Sequence, residues 1–222
     1  MIIFQNILFC IYLSMLLWII LVGIKKYKTL LLPLRFMYWC VVLDFLTESI
    51  GAIVGYFGDN TEIYFSYSVI YLTLTLLFFN FSNPKFNFKI SIPYWIVVPI
   101  VLIVALILFG QPHFQIGFIS NIVVNGIVFL LSVYSLYIAL KQPQRNKVYI
   151  GFYILTAIAS IYDYALDSFF NLLIYIYKVL DLNNYVALHQ LYLIPVYYIY
   201  YRLLYKDARF PKIAKPFQSK SK

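Results

Sequence analysis

The chain divides at its polar breaks into seven apolar stretches, and this division constrains its fold more than any other feature. Each stretch is close to the roughly 20 residues that a helix needs to cross a bilayer core of about 30 Å. The stretches lie at about 2–24, 34–57, 63–82, 92–110, 117–140, 148–176 and 184–204. The sequence therefore predicts an all-α polytopic membrane bundle of seven transmembrane helices within residues 1–205.

The small number of charged residues supports a membrane environment. Of the 222 residues, 64% are hydrophobic and only 11% are charged, whereas soluble domains carry about 25% charged residues. The chain therefore has too little polar surface to cover a soluble globule. Its two cysteines, Cys10 and Cys40, both fall within predicted spans, so we expect neither a disulfide framework nor a metal site. We also expect no cofactor.

The basic residues predict the orientation of the bundle. Sixteen of the 17 Lys and Arg residues lie in alternate connections and in the C-terminal tail, and Lys178 is the exception. Because cationic loops stay cytoplasmic, we predict an N-terminus outside and a C-terminus inside a bacterial inner membrane. An odd number of spans is required by that orientation, which agrees with seven.

The C-terminal segment 206–222 is predicted to be a basic cytoplasmic tail. The basic residues considered with it are Arg202, Lys206, Arg209, Lys212 and Lys215. We expect the tail to lie against the anionic headgroups of the lipid bilayer. The alternative is a docking site for an acidic protein or nucleic-acid partner.

Polar side chains recur at helical spacing inside several spans. The set is Asp44 and Glu48 on the second span, Asn121 and Asn125 on the fifth, Asp163 and Asp167 on the sixth, and His189 on the seventh. Facing stripes of this kind belong in the interior of a bundle. Gly51 and Gly55 lie on the same face of the second span as Asp44 and Glu48. Their spacing predicts close approach of a neighbouring backbone.

The carboxyl groups inside the spans are costly to bury. An ionisable group in the bilayer costs at least about 2.5–3.5 kcal/mol, and no Lys or Arg lies in the middle of a span to offset it. Three states remain open: the carboxyl groups are protonated, they pair with a protonated His189, or they bind a cation from outside. A fourth interpretation is that they only hydrogen-bond helices together, at about 0.6 kcal/mol each.

Two family resemblances support the architecture. The run LRFMYWCVVLDFLTESIGAIVGYF, followed by IYFSYSVIYLTLTLLFF, resembles small uncharacterised seven-helix membrane proteins of Bacteroidetes-type bacteria. Glu48 and Tyr64 match the Glu-centred second helix and the aromatic third helix of that family, which implies an architecture but no activity. The arrangement of three, one and three spans is similar in topology to PQ-loop and SWEET carriers. A Pro143-Gln144 dipeptide follows the fifth span, but no matching dipeptide follows the first.

These observations predict a carboxylate-lined pocket in the outer half of the bundle, which transports or senses a small cationic or proton-coupled solute. We expect Glu48 and Asp167 to carry the ligand or proton, and Asp44 and Asp163 to form a deeper relay. The orienting groups are Asn121, Asn125 and His189. We expect the tyrosines of the seventh span to serve as interface belt and packing residues.

Two other functional classes remain open. An accessory or regulatory membrane protein, a partner in signalling or cellular defence, would act through the basic tail or as a homo-oligomeric pore. An intramembrane enzyme is the least favoured class, because the GxSxG, HExxH, P-loop and Rossmann motifs are all absent.

Overall fold

The computed structural model describes the backbone of residues 2–57, 61–83, 113–142, 146–171 and 182–206. Side chains are described over 3–57, 63–64, 66–83, 122–142, 146–166 and 187–205. Over the described backbone the chain forms helices and short turns, with no strand. The helices are α1 (Ile2–Lys26), α2 (Leu32–Phe57), α3 (Thr61–Ser82), α4 (His113–Lys141), α5 (Lys147–Asn171) and α6 (Leu182–Tyr201). A 3₁₀ turn, Tyr27–Thr29, joins α1 to α2, and a π-helical turn, Arg202–Lys206, follows α6.

The predicted all-α class is confirmed for the described residues. Four segments in them are long and apolar enough to cross a membrane: Ile3–Thr29, Leu32–Phe57, Ile122–Lys141 and Lys147–Leu166. The predicted fourth span at 92–110 lies outside the described residues, so a total of seven spans stays a prediction. The tail residues Arg209, Lys212 and Lys215 and the side chains of Asn121, Asp167 and Lys206 also lie outside the described set.

The six described helices pack in a closed ring. Each helix contacts the next described helix along the chain, and α6 returns to contact α1. The side chains that fill the interior are large and apolar. Among the most completely buried are Leu16, Ile19, Leu34, Met37, Val41, Leu72, Phe78, Phe79, Phe152 and Leu204. The outer surface is also apolar, with exposed residues such as Ile7, Trp18, Ile53 and Leu130, as expected for helices that face lipid.

One end of the ring is basic and is closed by an aromatic layer. Phe78 and Phe79 of α3 pack against Phe152 and Tyr153 of α5, with ring centroids 5.7–5.8 Å apart. The Tyr153 hydroxyl donates a hydrogen bond to Ser82 Oγ at 2.7 Å. Because Ser82 ends α3 and Tyr153 is close to the start of α5, this contact brings those two helix ends together.

The ends of α1 and α6 join the same layer. The Tyr205 hydroxyl donates to the Ile19 carbonyl at 3.2 Å, and the Tyr38 hydroxyl donates to the Ile20 carbonyl at 3.4 Å. Lys26 at the end of α1 lies over the Tyr205 ring, 5.7 Å from its centroid. The basic helix ends therefore gather at one end of the bundle. Which side of the membrane this end faces stays a prediction.

Candidate functional site

Asp44 is buried inside the ring of helices. It belongs to the face of α2 that turns inward, together with Val41, Thr47 and Gly51, which are buried at steps of three or four residues. The Asp44 side chain is only 5% exposed. This burial agrees with the interior position expected from the helical spacing of the polar residues.

Two tyrosines from other helices bind the Asp44 carboxylate. The Tyr197 hydroxyl of α6 donates a hydrogen bond to Asp44 Oδ2, and Tyr67 of α3 is a second hydrogen-bond partner. Tyr12 of α1 hydrogen-bonds Tyr197, and the two rings lie 5.7 Å apart. Phenol hydroxyls from two helices, α3 and α6, therefore bind a carboxyl group carried by α2, and Tyr12 of α1 binds one of those phenols. We call Asp44, Tyr12, Tyr67 and Tyr197 the acid–tyrosine cluster.

The electrostatics of this cluster are unusual because the described residues provide no cation for Asp44. The single Asp or Glu contact with a basic side chain in the described part of the chain is made by His189 with Asp163. A phenol hydroxyl donates to an ionised carboxylate in a charge-assisted hydrogen bond, but it brings no positive charge. The cluster is therefore chemically suited to hold either a proton or a cation.

Glu48 lies one turn after Asp44 on α2, further from the basic end of the bundle. Its side chain is half-buried and hydrogen-bonds Tyr64 of α3. A Cβ atom built on Gly51 would lie 3.1 Å from the Tyr64 hydroxyl. The space at Gly51 is therefore filled by a tyrosine side chain, whereas the sequence analysis expected a neighbouring backbone there. Glu48 and Asp44 both interact electrostatically with Tyr12, so the two carboxyl groups share one environment.

A second polar cluster joins α5 to α6. His189 Nδ1 lies 3.8 Å from Asp163 Oδ1, and the two side chains are 28% and 23% exposed. Tyr162 and Tyr192 stack beside them, with ring centroids 3.5 Å apart and planes inclined by 20°. The structure therefore places the predicted residues Asp163 and His189 together. At 3.8 Å they form an ion pair only when the imidazole is protonated.

Tyr71 of α3 connects the two clusters. It interacts electrostatically with both Asp44 and Asp163. Its ring stacks on Tyr67 with centroids 5.6 Å apart and planes inclined by 19°, and Tyr67 in turn hydrogen-bonds Asp44. Tyr71 therefore lies within electrostatic range of one acid from each predicted carboxylate pair.

The other predicted residues occupy varied positions. Asn125 of α4 is buried, with 5% of its surface exposed. Two turns further along α4, Ser132 Oγ lies 2.9 Å from Thr156 Oγ1 and joins α4 to α5. Arg202 is exposed on the π-helical turn. The Asn121 and Asp167 side chains lie outside the described set, so the orienting role expected of Asn121 and the ligand- or proton-carrying role expected of Asp167 stay predictions.

Sequence reasoning missed the tyrosines of the site. It treated those of the last span as interface and packing residues, whereas Tyr197 is buried and binds Asp44. On α3, Tyr64, Tyr67 and Tyr71 are spaced three and four residues apart, which places them on one helical face. That spacing was the available indication that these tyrosines act together with the acidic face of α2.

The donor set does not resemble a metal centre. Within the residues that the structure describes, no group of three or more His, Cys, Asp or Glu side chains is placed to hold a metal ion. The chemistry that the site offers is exchange of protons between carboxyl and phenol groups, or attraction of a small cation.

Comparison of the chain with protein-family models, with curated proteins and with solved structures found no match.

Proposed function

We propose that this chain is a multi-pass membrane protein that transports or senses a small cationic or proton-coupled solute at the acid–tyrosine cluster. Asp44 is the central binding or proton-carrying group, and Tyr67 and Tyr197 hold its carboxylate. The observation that carries the proposal is Asp44 itself, buried among four helices with hydroxyl donors and no described cation partner.

Helices in a membrane can be held together by polar side chains that cost less free energy to bury than a carboxylate. Interhelical hydrogen bonds in membranes stabilise by about 0.6 kcal/mol on average, whereas an intramembrane carboxylate costs at least about 2.5–3.5 kcal/mol. A serine or threonine pair joins helices without that cost, as Ser132 and Thr156 do. The presence of a carboxyl group at position 44 therefore favours a function that uses its charge or its proton.

The proposal also includes a route and an orientation. Glu48 with Tyr64, and Asp163 with His189, lie further from the basic end than Asp44 does, so they form the entrance to the site. The basic end faces the cytoplasm of a bacterium, and the bundle has seven spans with its N-terminus outside. Asp167, Asn121 and Asn125 belong to the entrance. The aromatic layer of Phe78, Phe79, Phe152 and Tyr153 closes the inner side.

The test is proton and cation movement by the purified chain in liposomes. An enclosed pH-sensitive dye reports proton flux, while candidate cations are supplied outside one at a time. We expect Asp44→Asn to abolish solute-dependent flux and Tyr197→Phe to reduce it. Tyr153→Phe is the control, because it also removes a buried, hydrogen-bonded tyrosine hydroxyl, but one that lies in the aromatic layer and binds Ser82 instead of Asp44.

A sensor would bind without flux, so binding is measured in parallel as a shift in thermal unfolding with each cation. Loss of that shift in Asp44→Asn, with normal membrane insertion, supports the site. If Asp44→Asn retains wild-type flux and wild-type binding shifts, the proposed function is wrong.

A further inference from the structure

The corner between α1 and α2 concentrates cationic side chains at the membrane surface. Lys25 and Lys28 are exposed there, and Arg35 follows in the first turn of α2. The corner joins two segments, Ile3–Thr29 and Leu32–Phe57, that are long and apolar enough to cross a membrane. It therefore lies at the level of the lipid headgroups, whichever side of the membrane it faces.

Arg35 is held in place by the corner itself. Its Nε donates to the Leu30 carbonyl at 3.1 Å, and its Nη2 donates to the Lys28 carbonyl at 3.3 Å. Its guanidinium lies over the Tyr27 ring, 5.1 Å from the centroid. A guanidinium has five N–H donors. Two of those of Arg35 are used in these bonds, and no described residue accepts a hydrogen bond from the other three. The group is fixed in position before any ligand arrives.

Aromatic residues form the framework under this cation. Trp39 Nε1 donates to the Tyr27 hydroxyl at 3.0 Å, and the two rings lie 6.3 Å apart. Tyr38 packs edge-on against both of them, at 5.6 and 5.8 Å. Trp39 remains 46% exposed, one turn after Arg35. An exposed tryptophan beside a cation at this level has an apolar face for the glycerol and upper acyl region of a lipid.

Among the side chains that the structure describes, no acid pairs with the cations of this corner. Asp44 is the next acidic residue along α2, and it lies more than two helical turns deeper, where tyrosines bind it. A fixed guanidinium fork with flanking ammonium groups is the arrangement that recognises phosphate oxygens. We infer that this corner binds the phosphate of an anionic phospholipid, with Arg35 as the anchor, Lys25 and Lys28 as flanking charges, and Trp39 against the lipid body.

This site is separate from the acid–tyrosine cluster and does not depend on the proposed function. The test uses the purified full-length chain in a neutral detergent, with thermal unfolding as the readout. The chain is titrated with short-chain phosphatidylglycerol, with phosphatidylcholine of the same chain length, and with inorganic phosphate. We expect stabilisation by phosphatidylglycerol at much lower concentration than by phosphatidylcholine, and none by inorganic phosphate.

Paired substitutions locate the binding site. Lys25→Gln with Lys28→Gln removes two charges but keeps the backbone carbonyls that hold Arg35. We expect phosphatidylglycerol to bind about fivefold more weakly for each charge removed. The matched control is Lys141→Gln with Lys147→Gln, which removes two charges between α4 and α5. That control pair is expected to leave the affinity for phosphatidylglycerol unchanged.

Each contrary outcome overturns a stated part of the proposal. An equal loss of affinity in both pairs would show that surface charge alone attracts the lipid. Equal stabilisation by inorganic phosphate would identify a soluble phosphate ligand instead of a lipid. Arg35→Lys keeps the charge and removes the planar fork, so unchanged affinity in that variant would show that Arg35 only fixes the corner.

Discussion

The Tyr197 hydroxyl donates a hydrogen bond to the carboxylate of Asp44 across a separation of 153 residues in the sequence. The contact joins α6 to α2, and Tyr12 of α1 lies against Tyr197 beside it. The bond therefore joins a helix near the start of the chain to one near its end. The central polar contact of the site is therefore also a contact that holds the bundle together.

Removal of the Tyr197 hydroxyl is expected to lower stability by an amount that depends on Asp44. Tyr197→Phe keeps the ring and deletes the donor, so we expect a loss of about 0.6–1.7 kcal/mol, between the average and the largest values for interhelical hydrogen bonds in membranes. Unfolding in mixed micelles of detergent and denaturant measures the free energy. In an Asp44→Asn background the same substitution should cost less, because the charged acceptor is gone. Additive losses in the double variant would contradict direct coupling.

Two helical glycines are expected to respond differently to an added methyl group, because one is packed against side chains and the other is not. A Cβ atom on Gly23 of α1 would overlap the buried ring of Tyr38, whereas a Cβ on Gly126 of α4 meets nothing within 4 Å. We expect Gly23→Ala to destabilise by about 1–3 kcal/mol through overpacking. Gly126→Ala should be neutral or stabilise by up to about 1 kcal/mol, since alanine is the better helix former.

Thermal unfolding of both glycine variants in the same detergent provides the comparison. Because each variant adds one methyl group to a helix, the difference between them reports the contact of that group with Tyr38 and Tyr205. Equal midpoints for the two variants would mean that the Tyr38 ring moves aside without cost.

The hydrogen bond between Glu48 and Tyr64 is expected to matter for function more than for stability. Gly51→Ala would place a methyl group against the Tyr64 hydroxyl, so that this side chain has to move by a few tenths of an ångström. We expect reduced solute-dependent flux in liposomes with little change in unfolding. Tyr64→Phe, which deletes the hydroxyl directly, should reproduce the loss. If Gly51→Ala is silent and Tyr64→Phe is not, the contact tolerates the displacement.

The helices were the most predictable part of this molecule, for a simple physical reason. An apolar run ends where polar or charged residues must reach water, so α2 was expected at 34–57 and is found at Leu32–Phe57. The interior position of Asp44 followed from the cost of a carboxylate in lipid. Both inferences use only hydropathy and helical period, which the sequence contains directly.

The tyrosine partners of Asp44 were not predictable from hydropathy. A tyrosine has an apolar ring and a polar hydroxyl, so the same residue type suits a headgroup belt, a packed core or a carboxylate partner. Among 23 tyrosines, position relative to other helices decides the role. Two consecutive tyrosines of α6 have opposite environments: Tyr197 is buried and Tyr198 is exposed. Only the packing of α6 against α1 and α2 distinguishes them.

The orientation of the bundle is expected to appear in labelling of single cysteines at opposite ends of α2. Lys28 is exposed before α2, at the basic corner, and Phe57 is 82% exposed at the other end of the helix. The helix is 26 residues long, and at about 1.5 Å per residue it is longer than the bilayer core of about 30 Å. Lys28→Cys and Phe57→Cys therefore report opposite membrane surfaces.

Both substitutions are made in a chain in which Cys10 and Cys40 are replaced by serine and alanine. A membrane-impermeant maleimide added to intact spheroplasts should label Phe57→Cys and leave Lys28→Cys unlabelled until the membrane is opened. The physical reason is that the cationic end is retained in the cytoplasm. The reverse pattern would invert the proposed orientation but leave the ring of helices unchanged. Labelling of both positions from one side would contradict a membrane-spanning α2.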